Sequence, residues 1–330
     1  MTSRQNRLHR SLIWTGAVVT AIVLMATDAS AKLRIVTAFP QDASIAQTIG
    51  GNEVEVHSLT TGNQNPHAVD PKPSFSVLLN KADLLIVNGQ NMEMAWMPIA
   101  LTSSRNPRIL EGENGYLNPS VGITFIPYAQ EELQSTPFFS LNLIVGDPQK
   151  SGNHHYWLDP ENGLVVAKNI YDKLVALDPD HTDYFKENHE RFVTQLKEKI
   201  TKWDAMMAPY KGVNVVSYHR DWIYLTKRHG LNIFSYIEPK ETIPPSAGEV
   251  ALLVKRMKEK HVPIVIVSPW QPQKISREVA RQTGARFLSL PSTVDERSGV
   301  KDYISLFDKI YGELTQALKE LQVERRNLPR

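Results

Sequence analysis

The sequence predicts an α/β protein of two lobes, each a parallel-type sheet flanked by helices, joined by one long backbone helix. Three observations carry that prediction. The stretch from about Asp180 to Met207 reads as one helix: Phe185, Phe192, Leu196, Ile200, Trp203 and Met207 recur at intervals of three, four or seven and so share one face. Strand-like apolar runs alternate with helical patterns on both sides of it, as parallel sheets with crossover helices require. At 330 residues and 42% apolar content, the chain is long enough for two cores.

Taken in order, the first element is a leader. Arg4, Arg7 and Arg10 precede an apolar run from Leu12 to Ala26, and Ala29-Ser30-Ala31 is a small-residue cleavage site, the pattern of a secretory signal. The apolar run falls short of the roughly 20 residues a spanning helix needs, and no other stretch approaches that length. Residues 1–31 are therefore read as a signal peptide, whose removal leaves 299 residues. Lys and Arg then fall from 37 to 34, and Asp and Glu from 35 to 34. A balanced charge leaves no footprint for nucleic acid or a membrane surface. There is no cysteine, hence no disulfide framework and no thiol for lipid attachment. The expected location is the periplasm, without a lipid anchor.

Beyond the leader, Leu33–Phe39 is an apolar run ending at Pro40, a buried strand leading into a helix through Ile49. Glu53–Leu59 alternates as a second strand, and Thr60–Pro66 is turn chemistry throughout. A helix from Asp70 to about Lys81, a strand Ala82–Asn88, a helix Asn91–Leu101 and a strand near Arg108–Leu110 follow. Residues 112–152 are the least regular part, a candidate mobile cover. Glu161–Leu177 forms a helix. Asp178-Pro179 is an N-cap candidate for the long helix, with proline in its first turn, and Pro209 and Gly212 stop it. Strands at Val213–Ser217, Asn232–Ile237, Pro263–Val267 and Arg286–Leu290 then alternate with helices at Asp221–His229, Ser246–Lys260, Gln273–Thr283 and Tyr303 to about Leu321. The expected division is an N-terminal lobe over 32–178, a linking helix over 179–208 and a C-terminal lobe over 209–330.

Parallel sheets present ligands at the carboxyl ends of their strands, and four side chains of metal-binding type lie just beyond a predicted strand or in a turn. His67 closes the loop after the second strand, and His155 lies in Asn153–Pro160. His219 follows the first strand of the second half, and Asp295 follows the last strand. Imidazoles with one carboxylate make a borderline site suited to Zn2+, with Mn2+ or Fe2+ as alternatives. His57, His181, His189, His229 and His261 lie in a strand, on helices or at helix ends, where ordinary hydrogen-bonding roles are expected. Neighbouring residues of an extended segment point to opposite sides, so His154 is expected to turn away from a site that takes His155.

These residues also carry a resemblance. NPH (Asn65–His67), followed by PKPS and ADLLIVNG, then HYWLDP (His155–Pro160) and a long helix containing YFKENHERF, is similar to the cluster-A solute-binding proteins of zinc and manganese ABC transporters. SYHRDWIYLTKRHGL (Ser217–Leu231), PPSAGEVALLVKRMKE and VSPWQPQKISREVARQTGA continue the match in order. The resemblance implies two β/α lobes on a rigid backbone helix, one metal held between them, and delivery to a membrane permease. By motif position the ligands it implies are His67, His155, His219 and Asp295. Histidine at the third position is more usual in zinc-type members, glutamate in manganese- and iron-type ones. Two departures stand out. Residues 112–152 hold no histidine-rich insertion, and the fourth-ligand segment reads Asp295-Glu296, leaving Glu296 or a water as alternative fourth donors.

An enzyme is the rival class, since three histidines with an open position also describe catalytic zinc. HExxH, HxHxDH, GxSxG and P-loop patterns are absent, and Glu238 and Glu241 have no motif around them. A surface adhesin on this fold is a further alternative, against which the missing lipid anchor argues. The expected protein is a non-enzymatic, monomeric metal carrier whose binding weakens as its histidines titrate below about pH 6.5.

Overall fold

The computed structural model describes residues 31–128, 152–240 and 243–327. The expected leader, up to residue 30, lies outside these residues, as does most of the irregular 112–152 segment. Two four-stranded parallel sheets form the frame. In the first, β1 (Leu33–Thr37), β2 (Val54–Ser58), β3 (Leu84–Ile86) and β4 (Tyr116–Leu117) are ordered β2-β1-β3-β4. In the second, β5 (Asn214–Ser217), β6 (Asn232–Tyr236), β7 (Ile264–Val267) and β8 (Arg286–Ser289) repeat that order as β6-β5-β7-β8. Each sheet therefore reverses its strand order beside its first strand, and the crevice at the strand ends there is where an open α/β sheet receives a ligand.

Helices α1 (Pro40–Gly50), α2 (Pro73–Lys81), α3 (Met97–Ser104) and α4 (Asn162–Leu177) accompany the first sheet. Between the sheets runs α5 (Thr182–Met207), 26 residues and so about 39 Å long. Its buried stripe is Phe185, Phe192, Leu196, Trp203 and Met207, with Ile200 packed partly buried against the same core. The 3-10 turn Pro179–His181 precedes it, and the Asp178 side chain makes no cap hydrogen bond; its carboxylate instead takes the His181 ring at 2.7 Å. Helices α6 (Ile223–His229), α7 (Ala247–Glu259), α8 (Gln273–Thr283) and α9 (Tyr303–Asn327) complete the second half. Among the described residues no helix is long and apolar enough to cross a membrane.

One apolar core runs from the first sheet through α5 and α9 to the inner face of the second. The alternation of β5 and β7 shows how. Val215, Ile264 and Ile266 belong to this shared core, while Val216, Val265 and Val267 face a separate cluster with α7 and α8. Period-two side-chain direction places helices on both faces of that sheet. Helix α9 packs on α5 and also on α1. Arg228 of α6 adds a polar tie, reaching Asp204 of α5 at 2.7 and 2.9 Å, Asp159 at 3.0 Å and Glu161 at 2.7 Å.

Two elements differ from the sequence expectation. Arg108–Leu110 is not a strand: Pro107–Ile109 forms a 3-10 turn with the Asn106 side chain accepting from Arg108 N, and the edge strand comes later, at Tyr116–Leu117. A proline lacking an N–H suits a turn better than a ladder. The helix expected from Asn91 begins only at Met97. Gln90 and Asn91 are left-handed, with φ of 52° and 64°, which a right-handed helix cannot contain. The turn they make is held by Glu93, whose carboxylate accepts from the Asn88 and Gly89 amides. Burial pushes the Glu93 carboxyl up to about 7 against those amide bonds.

Candidate metal centre

Each sheet delivers one histidine from a strand-end loop, and a third arrives on a 3-10 turn. His67 ends the Gly/Asn/Pro loop after β2. The loop is pinned at two points: Asn65 Oδ1 accepts from His67 N at 3.0 Å, and Trp96 Nε1 donates to Pro66 O at 3.1 Å. His219 follows β5 directly. His155 immediately precedes the 3-10 turn Tyr156–Leu158. The three rings converge, with centroids 5.3 Å apart for His67 and His155, 5.1 Å for His67 and His219, and 5.2 Å for His155 and His219. All three residues are buried. Trp157 lies 5.2 Å from the His155 ring, and Trp270, from the loop after β7, lies 6.1 Å from His219 and 6.3 Å from His67. These aromatic rings border the imidazole cluster on two sides.

The tautomer of His155 follows from its neighbours. Asn153 Nδ2 donates to Arg220 O at 2.9 Å, which fixes the orientation of the amide. Asn153 Oδ1 then accepts from His155 N at 2.9 Å and faces His155 Nδ1 at 3.1 Å. An amide oxygen only accepts, so Nδ1 carries the proton and Nε2 carries the lone pair. That Nε2 is buried with no hydrogen-bond partner, the condition of a ligand atom awaiting an ion. Burial holds the His155 and His67 imidazoles well below the usual histidine range, with the neighbouring imidazoles adding to the effect. Both are therefore neutral, as ligation requires. The Asn153 carbonyl accepts from Tyr224 Oη of α6 at 2.6 Å, so the second half of the chain helps position a first-half ligand. Asn153→Ala is expected to lower metal affinity by roughly 10–100-fold, the usual cost of losing an outer-shell partner. Zinc titration of the folded variant checks this.

Glu238 has no motif around it in the sequence. It follows β6, where Ile237 N and Glu238 N donate to Ser217 O and Tyr218 O beside the β5 terminus, and its buried carboxylate pairs with His219 Nδ1. A carboxylate on one ring nitrogen directs the other toward a metal. The strand-end rule that selected His219 applies equally to this position.

His154 is placed differently from expectation, and Asp295 is held by a near neighbour. The Asp295 carboxylate accepts from Arg297 N at 3.2 Å and from Arg297 Nε at 3.1 Å, and it lines a surface cleft with Gly62, Val294 and Glu296. His154 is buried and does not turn away. Its ring centroid is 4.5 Å from that of His155 and 4.9 Å from that of His67. The reason is backbone conformation: His155 has φ −85° and ψ 30°, so the segment is not extended there and successive side chains need not oppose each other. Four further histidines keep to ordinary positions. His57 pairs with Glu55, His181 with Asp178, His189 stacks on Tyr171, and His229 meets Tyr311 Oη at 2.8 Å.

A family model described as "Zinc-uptake complex component A periplasmic" matches residues 35–317. The chain belongs to this family. Members of the zinc-uptake component A family are substrate-binding transport proteins, not enzymes, and the relatives of this chain serve metal ABC transporters. It is 26% identical over 257 residues to the high-affinity zinc uptake system protein ZnuA of Bacillus subtilis, covering 77% of this chain and 76% of that one. It is equally 26% identical to the manganese ABC transporter substrate-binding lipoprotein PsaA of Streptococcus pneumoniae over 262 residues, 78% of each chain. The same identity links it to the iron-binding protein YfeA of Yersinia pestis over 295 residues, 86% of this chain and 85% of that one. A crystal structure of ZnuA shares the fold, with a TM-score of 0.70 and 21% identity over 86% of this chain and 98% of that one. Zinc, manganese and iron thus all occur among the relatives of this family member.

Proposed function

We propose that this protein captures a divalent transition metal, zinc by preference, on His67, His155 and His219, and hands it to the permease of an ABC transporter. The observation that carries the reading is the convergence of those three buried imidazoles, with ring centroids 5.1–5.3 Å apart. Preference for zinc rests on donor chemistry: neutral imidazoles suit Zn2+, whereas Mn2+ favours carboxylate and water oxygen. Asp295 is the fourth ligand that family register nominates, and delivering it requires its pairing with Arg297 to be exchanged for the metal. The protein acts as a periplasmic monomer after removal of residues 1–31. Opening by wide hinge motion is opposed by the core that α5 and α9 share with both sheets, so loading and release proceed by loop ordering and small tilts.

A ligand bound only by the folded state adds about 4 kcal/mol at a thousandfold excess over Kd. Zinc should therefore raise the melting temperature by several degrees, with chelator reversing the gain. Protein indifferent to zinc, manganese and iron would defeat the proposal. His219→Glu replaces a nitrogen donor with oxygen, and it is expected to move preference from zinc toward manganese. Competition titration of the two metals against parent and variant measures that ratio; an unchanged ratio means that His219 does not touch the ion.

A further inference from the structure

We infer that His154 is itself a metal ligand, so that the site is a shell of four imidazoles with no carboxylate in direct contact. The inference rests on the reading of the cluster as a metal site and specifies its composition. His67, His154 and His155 each offer a ligand atom, and these atoms all lie within 4.8 Å of one another. His219 joins from the other side, its ring 5.1 Å from His67 and 5.2 Å from His155. A single ion bound at about 2.0–2.1 Å by each nitrogen separates tetrahedral donors by a little over 3 Å, a spacing that small side-chain rotations reach from the one shared by His67, His154 and His155.

His154 is built into place rather than packed there by chance. Its backbone carbonyl accepts from Asn88 Nδ2 at 3.1 Å, and its Nδ1 meets Tyr128 Oη at 3.1 Å. A phenol hydroxyl donates or accepts. It can therefore take the Nδ1 proton when Nε2 gives its lone pair to an ion, the outer-shell arrangement that orients a ligating histidine. Asp295, by contrast, is occupied by Arg297 through both its side chain and its backbone N–H. Four imidazole nitrogens offer none of the oxygen donors that Mn2+ prefers and favour zinc-class ions.

X-ray absorption of the zinc-loaded protein tests the composition directly, and zinc titrations of His154→Ala and Asp295→Ala test the energetics. Four imidazoles on zinc are expected. The loss on His154→Ala should exceed the roughly 10–100-fold typical of an outer-shell partner, while Asp295→Ala stays within about twofold of the parent. Three imidazoles plus oxygen, or a folded His154→Ala with parent affinity, would overturn the inference. Should His154→Ala fail to fold by circular dichroism, the imidazole count on the parent decides alone. Zinc binding lost in His67→Ala but kept in His154→Ala refutes only this inference. A parent that binds no divalent metal refutes the proposed function along with it.

Discussion

His155→Ala should lower zinc affinity by roughly three orders of magnitude, about 4 kcal/mol at 1.4 kcal/mol per decade. The size of the effect follows from where the side chain sits. His155 is 1% exposed, and its ring lies within 5.3 Å of those of His67, His154, His219 and Trp157. Asn153 has already selected the tautomer with Nε2 as donor, so the wild-type site gives up little rotamer entropy when it binds. Alanine leaves a pocket in which water is a poorer donor than imidazole and is itself held by few polar partners. His181→Ala is the matched control, because that ring pairs with Asp178 on the flank of α5 and should leave affinity unchanged. Circular dichroism on both variants, followed by competition against a zinc chelator, measures the difference. Parent-like affinity in folded His155→Ala would remove the centre from this part of the molecule.

The second large effect concerns acid and base limits of the metal-free protein, and it has two opposite signs. Burial lowers His229 to about 4. Between pH 6.5 and about 4 the unfolded chain takes a proton there that the folded one refuses, so stability is lost as the pH falls. Glu93 is the reverse case, raised to about 7. Between about pH 4.5 and 7 the folded chain keeps a proton that the unfolded one has released, so this contribution is lost as the pH rises. Each spans about 2.5 pH units, worth about 3 kcal/mol at most. In the parent the two oppose each other. Substitution separates them: His229→Gln should gain on the parent as pH drops from 6.5 to 4, and Glu93→Gln should gain as pH climbs from 4.5 to 7. Urea denaturation of the three chelator-treated proteins at pH 4.5, 5.5 and 7 reads both slopes. Parallel curves would show that neither group is shifted.

Much of this molecule is legible without coordinates because the relevant signals are local. The α5 stripe repeats at helical spacing from Phe185 to Met207, about six turns, and Pro40 and Pro73 each sit in a first helical turn, where proline costs no hydrogen bond. His67 and His219 stand at loop positions that a parallel sheet exposes, and His155 stands just ahead of a 3-10 turn. What the sequence conceals is set by tertiary pairing or by one unusual backbone angle. Glu238 reaches His219 only because β6 lies beside β5, nineteen residues away. His154 turns inward because His155 leaves the extended region at ψ 30°, which no alternation rule anticipates. The late start of α3 depends on two left-handed residues, Gln90 and Asn91, neither of them glycine. The Asp295 carboxylate meets Arg297, only two residues on, a local pairing that competes with long-range ligation and that a motif does not display.

The contact of α9 with the opposite half of the molecule has a consequence in time. Tyr303 N donates to Ser44 Oγ across 259 positions, and Tyr303 Oη donates to Trp157 O across 146. Thr293 Oγ1 donates to Gln41 Oε1 across 252. Ribosomes extend a chain at roughly 5–20 residues per second, so α1 is made more than ten seconds before the helix that completes its packing. Until that helix emerges, the first sheet lacks one of its covers and its apolar face is open to holding factors. Closure at such separation also carries a high loop entropy and slows the final step further. A chain whose last helix seals its first is thereby kept loose through synthesis.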